Sequence, residues 1–241
     1  MQEKYSIVFG SLTRATFIER PNRFLVRCRL ESSGEVVEAH LADPGRLKEL
    51  LLPKTLLYLK FVDNPKRKTR WSVILAKAPG KAVLVSLQST LANHLAQKAI
   101  EAKAIHDLKE WQIARAEYSL GNARWDFLLE NAEAKRLLLE VKSCTLVQDG
   151  VAMFPDAVTA RGRKHLSELT KLQASGDFTC VVLFVVQRSD AQVFKPAEHI
   201  DPDFSEALRE ANRGGVKALV YNCKIDANGI TWGNKLRSLL D

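Results

Sequence analysis

The stretch Val181-Val182-Leu183-Phe184-Val185-Val186 admits few folds. It is apolar at every position and mostly β-branched, so it lacks the polar alternate face of a strand open to water and calls for cover on both sides. Helical patterns supply that cover. Leu166, Leu169 and Leu172 fall on one side of a helix expected over 160–174, which Ser175-Gly176-Asp177 ends. A second helix over 204–212 leads into a strand at 216–223, giving a strand-helix-strand crossover. Upstream, Leu91, Leu95, Ala99 and Ala102 mark a helix over 91–103, with Asn93 as its cap if it begins slightly later. A linker or short helix follows at 105–111, then strands at 114–119, 124–130 and 137–143, with Gly121-Asn122 as a hairpin turn between the first two.

The first third of the chain reads differently. Segments at 12–19, 24–30, 35–41, 56–62 and 71–78 have the short, turn-bounded character of strands, and a short helix is expected over 46–52, where Pro53 stops it. Five strands with a helix between the third and fourth predict an OB-fold-like barrel. One more strand is expected over 82–87. The division expected is therefore an all-β nucleic-acid-binding domain at 1–86 and an α/β domain at 87–241. The order helix, three-stranded meander, helix, strand in the latter is that of the restriction-endonuclease-like core, built on a mixed sheet.

That comparison directs attention to one hairpin, from Arg124-Trp125-Asp126-Phe127 to Leu139-Glu140-Val141-Lys142. Side chains alternate along a strand, so Glu140 and Lys142 share one face, and the same alternation separates Asp126 from Trp125 and Phe127. Antiparallel pairing would bring Asp126 beside Glu140. An isolated Glu-x-Lys is also what a salt bridge on a solvated sheet looks like. Here, however, Asp126 stands on the second strand and Glu140-Val141-Lys142 on the third, the places of the PD-(D/E)xK nuclease site. Asp126, Glu140 and the Val141 carbonyl are the expected ligands of Mg²⁺ or Mn²⁺, with Lys142 orienting water or neutralising charge. Glu101 and Glu117 are candidates for a further acid, each also readable as a surface residue. Asp156 stands where it could cap the following helix or support the metal ligands. Arg161 and Lys164 share a face early in that helix, with His165 beside them, and are placed to meet a phosphate. Gln187, Arg188 and Asp190 follow the buried strand, where active-site residues of α/β sheets gather.

Lys plus Arg number 36 against 28 Asp plus Glu, a formal charge of +8 with a pI near 9.3, which favours a polyanionic partner such as nucleic acid. The loop Asp63-Asn64-Pro65-Lys66-Arg67-Lys68-Thr69-Arg70-Trp71 concentrates that charge: Lys66, Arg67, Lys68 and Arg70 are expected on phosphates, and Trp71 either stacks on a base or turns into the barrel core. No helix-turn-helix or zinc-finger pattern is present, so binding is expected to be largely independent of sequence. Cys28, Cys144, Cys180 and Cys223 are widely spaced and read as reduced, buried thiols. His40, His94, His106, His165 and His199 show no metal-ligand spacing and read as surface or packing residues. The N-terminal residues lack a signal-peptide core and no apolar run reaches membrane-spanning length, which places the chain in the cytoplasm, away from membranes, with a homo-oligomer left open.

Several longer stretches resemble one family. Asn64-Pro65-Lys66-Arg67-Lys68, Arg124-Trp125-Asp126-Phe127-Leu128, Glu140-Val141-Lys142-Ser143-Cys144-Thr145-Leu146, Phe154-Pro155-Asp156-Ala157-Val158-Thr159, Arg161-Gly162-Arg163-Lys164-His165-Leu166 and Val186-Gln187-Arg188-Ser189-Asp190 look like the sugar fermentation stimulation protein A family. The match spans nearly the whole chain, although Ala42-Asp43-Pro44-Gly45-Arg46 departs from an Asn-Thr-Gly form. The resemblance implies an OB-like first domain, a nuclease-like second domain, DNA binding and a regulatory link to sugar metabolism. Two functions remain open at this point: a metal-dependent DNase, and a DNA-binding regulatory protein without turnover.

Overall fold

The structure is a computed structural model and describes residues 5–240. After β1 (Ser6–Val8) come β2 (Thr13–Asn22), β3 (Leu25–Leu30), β4 (Val36–Leu41), β5 (Leu56–Phe61) and β6 (Trp71–Lys77). Strands β2, β3 and β4 form an antiparallel meander, β5 pairs with β2 and with β6, and a parallel contact between β4 and β6 closes the ring. This is the OB-fold connectivity that the strand pattern predicts. Its interior is filled by alternating inward residues, among them Ala15, Phe17, Val26, Cys28, Leu57, Leu59 and Val73. β7 (Leu84–Ser86) extends the barrel from β6.

The helix expected over 46–52 does not form. Leu47 sits at φ 51°, in the left-handed region, which a right-handed helix cannot continue through. The segment is instead a tight turn in which Leu50 and Leu51 N–H both donate to Leu47 O. Leu47 and Leu50 still reach the barrel core, so leucine spacing that reads as helical is satisfied by a turn.

The second module runs α1 (Leu91–Glu101), a 3-10 turn (His106–Leu108), β8 (Gln112–Leu120), β9 (Ala123–Glu130), β10 (Arg136–Cys144), β11 (Val147–Gln148), β12 (Val151–Phe154), α2 (Ala160–Ser175), β13 (Thr179–Val186), β14 (Val193–Pro196), α3 (Pro202–Arg213), β15 (Lys217–Ile225), β16 (Gly229–Lys235) and β17 (Arg237–Ser238). Its seven-stranded sheet has the order β1-β16-β15-β13-β10-β9-β8, with β10, β13 and β15 parallel at the centre. The first strand of the chain thus belongs by pairing to the second module, a departure from an undivided first domain at 1–86. A small sheet, β11-β12-β14-β17, flanks the site and has no counterpart in the expected elements.

Val181, Leu183 and Val185 pack with α1 on one face of the sheet, while Val182, Phe184 and Val186 pack with residues of α2 and α3 on the other. Both faces are covered, as the apolar run demands. The β8–β9 turn falls at Gly121-Asn122, with Leu120 paired to Ala123 and Gly121 at φ 59°. All four cysteines are buried and free. Among the described residues no helix is long and apolar enough to cross a membrane.

Candidate active site

Strands β9 and β10 pair from Arg136↔Glu130 to Leu139↔Phe127, and there their ladder stops. Strict alternation would put Trp125 and Phe127 on one face; instead Trp125 packs with Leu128 and Leu138 on the α2 side, and Phe127 packs on the α1 side. Asp126 lies at this flip. Its Oδ2 accepts from the Val141 backbone N–H at 2.7 Å, so a carboxylate takes the place of the next ladder carbonyl. Its Oδ1 accepts from Asn93 Nδ2 of α1 at 2.6 Å. Asn93 therefore does not cap its helix; Thr90 occupies the N-cap position and makes no side-chain cap bond.

Glu140 points to the α2 side, where it is only 5% exposed. Lys142 Nζ donates to its Oε1 at 2.6 Å, and His165 Nδ1 lies 2.7 Å from the same oxygen. Arg161 Nε donates to His165 Nε2 at 3.4 Å, an arrangement that leaves the ring proton on Nδ1, facing Glu140. His165 departs from a merely packing role, although it also packs its ring 5.4 Å from that of Trp125.

The two carboxyls are held differently. Burial pushes Asp126 upward and the nearby Glu140 charge adds to this, against the Val141 N–H, Asn93 and Lys142. Burial also opposes ionisation of Glu140, but His165 and Lys142 outweigh it and hold that carboxyl below the usual range. Glu140 is thus the firmly ionised member. Both its bonds fall on Oε1, which leaves Oε2 for a ligand, and each Asp126 oxygen keeps a second lone pair. Among the described residues no group of three or more His, Cys, Asp or Glu is arranged around a metal position. Two carboxylates and a carbonyl are nevertheless a hard-oxygen set of the kind Mg²⁺ uses, water and phosphate oxygens completing the octahedron.

Residues 18–85 match the model of the SfsA N-terminal OB domain, and residues 90–229 match that of the sugar fermentation stimulation protein RE domain. The chain belongs to the sugar fermentation stimulation protein family. The homolog from Shouchella clausii is 39% identical over 225 residues, covering 93% of this chain and 96% of its own. That from Moorella thermoacetica is 43% identical over 218 residues, covering 90% and 92%. Pyrococcus furiosus SfsA, solved in complex with Ca²⁺, is 26% identical and superposes with a TM-score of 0.87, covering 97% of this chain and 98% of that one.

In this member of the family, Val141 and Lys142 border a cleft of about 570 Å³ whose walls include Asn93 and His94 of α1, Glu117, Arg23, the barrel segment Asp43-Pro44-Gly45 and Asp156. Glu117 reaches this cleft but is mostly exposed and pairs loosely with Arg124 at 3.7 Å, whereas Glu101 is exposed elsewhere and accepts from Gln97. Asp156 does not cap α2. Thr159 does so through Gly162 N–H, and Asp156 Oδ2 instead accepts from Leu47 N–H of the barrel. Gly45 fits between Asp43 and Asp156 because it has no side chain: a Cβ there would overlap the Asp156 carboxylate and stand 2.9 Å from Asp43 Oδ1. Burial, with Asp156 close by, pushes Asp43 up to about 6 despite its bond from Gly45 N–H.

Neither Asp126 nor Glu140 is part of that lining, and other candidates lie outside it as well. Lys164 is exposed and pairs with Glu168 at 3.8 Å, so Arg161 alone of the expected phosphate pair adjoins the site, through His165. Gln187 is fully buried and donates to Ser143 Oγ and Gln88 O, while Arg188 is held by Asp190 and Thr145 O. These residues tie β13 to its surroundings and do not line the cleft. The basic loop does not line the cleft either. Lys66 and Lys68 are exposed, Arg67 donates to Ser72 Oγ, and Arg70 pairs with Asp63 and lies 5.1 Å from the Phe61 ring centroid. Trp71 is partly buried against the barrel core, edge-on to Phe61, whose ring is the more exposed of the pair.

Proposed function

We propose that this member of the family hydrolyses DNA phosphodiesters with Mg²⁺ or Mn²⁺ held by Asp126, Glu140 and the Val141 carbonyl. The observation that carries the reading is the Asp126 carboxylate clasped to the Val141 N–H, between Glu140 and Lys142, at the end of the β9–β10 ladder. A protein that only bound DNA would be weakened by two carboxylates held this close to the cleft wall at Val141 and Lys142, unless a cation lay between them and the backbone. The Ca²⁺ in P. furiosus SfsA, a protein of the same fold, is consistent with a hard divalent cation in the family.

Bound at these oxygens, the cation would polarise the scissile phosphate and lower the pKa of a coordinated water. The chain's own residues do the rest. Asn93 and the Val141 N–H fix the Asp126 carboxylate, and His165 keeps Glu140 ionised and oriented. Lys142 supplies a cation beside that centre, to offset charge on the phosphate or to orient the attacking water. The cationic surface brings the polyanion in without reading bases.

The test is incubation with end-labelled single- and double-stranded DNA in Mg²⁺, Mn²⁺ or EDTA. Cleavage in either metal, abolished by EDTA and reduced by about 100-fold or more in Glu140→Ala and Lys142→Ala, is expected. DNA binding without cleavage under every condition would instead favour the non-catalytic regulatory role.

A further inference from the structure

A trough of about 630 Å³ crosses the outside of the barrel between two turns. One carries Leu52, Pro53 and Lys54; the other runs from Lys77 through Pro79 and Gly80 to Lys81, with Arg14 and Glu31 at the side. None of these residues lines the cleft at β10. The turns are built by the backbone. Lys54 N–H donates to Phe17 O at 3.2 Å and Thr55 N–H to Leu52 O at 3.0 Å; opposite, Ala78 N–H donates to Val83 O at 2.8 Å and Lys81 N–H to Ala78 O at 3.1 Å. Lys54 holds φ 70°, a left-handed conformation uncommon for any residue with a long side chain.

Four cations thus face one carboxylate across the trough. Arg14 is answered by Glu31 at 3.2 Å, and Lys81 by Asp190 at 2.9 Å. Lys54 and Lys77 are exposed, and their side chains make no hydrogen bond or ion pair among the described residues. Leu52, Pro53 and Pro79 add an apolar surface between the charges.

We infer that this trough is a second contact for a nucleic-acid backbone, with Lys54 and Lys77 on its phosphates. The inference rests on the DNA-directed reading above and extends it to a face that neither the cleft nor the basic loop occupies. Exposed lysines are mobile point charges, suited to a backbone met in any register; a small phosphorylated ligand is more often gripped by a buried arginine fork or converging N–H groups. The apolar prolines and Leu52 give the sugars or a base a surface to lie on.

The experiment measures anisotropy of a fluorescein-labelled single-stranded oligonucleotide of about 16 nucleotides across a salt series. The wild type is compared with Lys54→Gln/Lys77→Gln, with the charge-retaining Lys54→Arg/Lys77→Arg, and with Lys66→Gln/Lys68→Gln in the basic loop; circular dichroism checks the fold of each. Loss of two phosphate contacts should flatten the slope of log K against log salt by roughly 1.4, and the arginine variant should keep the wild-type slope. A glutamine variant that is folded and has the wild-type slope overturns the inference, while tight binding by the wild type leaves the DNA reading intact. A wild type that binds no oligonucleotide overturns both. Loss of inorganic tripolyphosphate binding in the glutamine variant, with oligonucleotide binding unchanged, would assign the trough to a small anion instead.

Discussion

His165 Nδ1 stands 2.7 Å from Glu140 Oε1, across the interface between α2 and the central strand β10. This contact makes a helix residue part of the site. Replacing His165 by Ala removes one of the interactions that outweigh burial at Glu140, so the Glu140 pKa rises. The acid limb of the cleavage pH profile should then move to higher pH, with activity lower by about 10- to 100-fold. Rates measured from pH 5 to 9 would check this, and an acid limb left where it stands in the wild type would remove His165 from the role.

Asn93 is the helix α1 counterpart. Its bond to Asp126 Oδ1 orients a carboxylate that burial disfavours as an anion. Asn93→Ala should weaken Mn²⁺ binding by about 10- to 100-fold while the melting temperature changes little, as followed by titration calorimetry and thermal melts. Equal Mn²⁺ affinity in both proteins would show that Asp126 needs no such support.

Asp43 offers a pH dependence of stability. Its folded-state pKa lies near 6, above its ordinary 3.8, so its contribution is fully present below 3.8 and is lost as pH rises through about 6. The loss corresponds to at most about 3 kcal/mol. Asp43→Asn keeps an acceptor for the Gly45 N–H and should stabilise the protein at pH 8 but hardly at pH 4, in urea melts at the two values. A variant equally or less stable at pH 8 would contradict this account of the buried carboxyl.

Gly45 tests the contact between the modules. A methyl group there must displace the Asp156 carboxylate, which would release the Leu47 N–H it accepts. Gly45→Ala should destabilise by about 1–3 kcal/mol, and Asp156→Ala should relieve the overlap so that the double variant loses less than the sum. Strict additivity would place the strain elsewhere.

The fold could be read from local patterns because its strands are patterned locally. The run 181–186 is apolar on both faces, Gly121-Asn122 favours a tight turn, and inward residues alternate through the barrel. That Asp126 lies near Val141 follows from short-range hairpin spacing, although the break in alternation at Asp126 does not. What could not be read depends on contacts between distant segments. Asn93 reaches Asp126 across 33 positions, His165 reaches Glu140 across 25, and Asp156 meets Leu47 across 109. An asparagine near a helix start has the same local appearance whether it caps the helix or holds a carboxylate. The leucines at 47, 50 and 51 fit a helix and a turn equally well, until the left-handed backbone at Leu47 decides between them. The pairing of β1 with β16 joins the two ends of the chain, and no local pattern marks it.

The central claim is that Asp126 and Glu140 share a divalent cation. Crystals soaked in Mn²⁺ and measured at the manganese absorption edge test it most directly. The account predicts an anomalous peak about 2 Å from a carboxylate oxygen of each residue, lost in Glu140→Ala. A peak elsewhere on the molecule, or none at a Mn²⁺ concentration that supports cleavage, would contradict it.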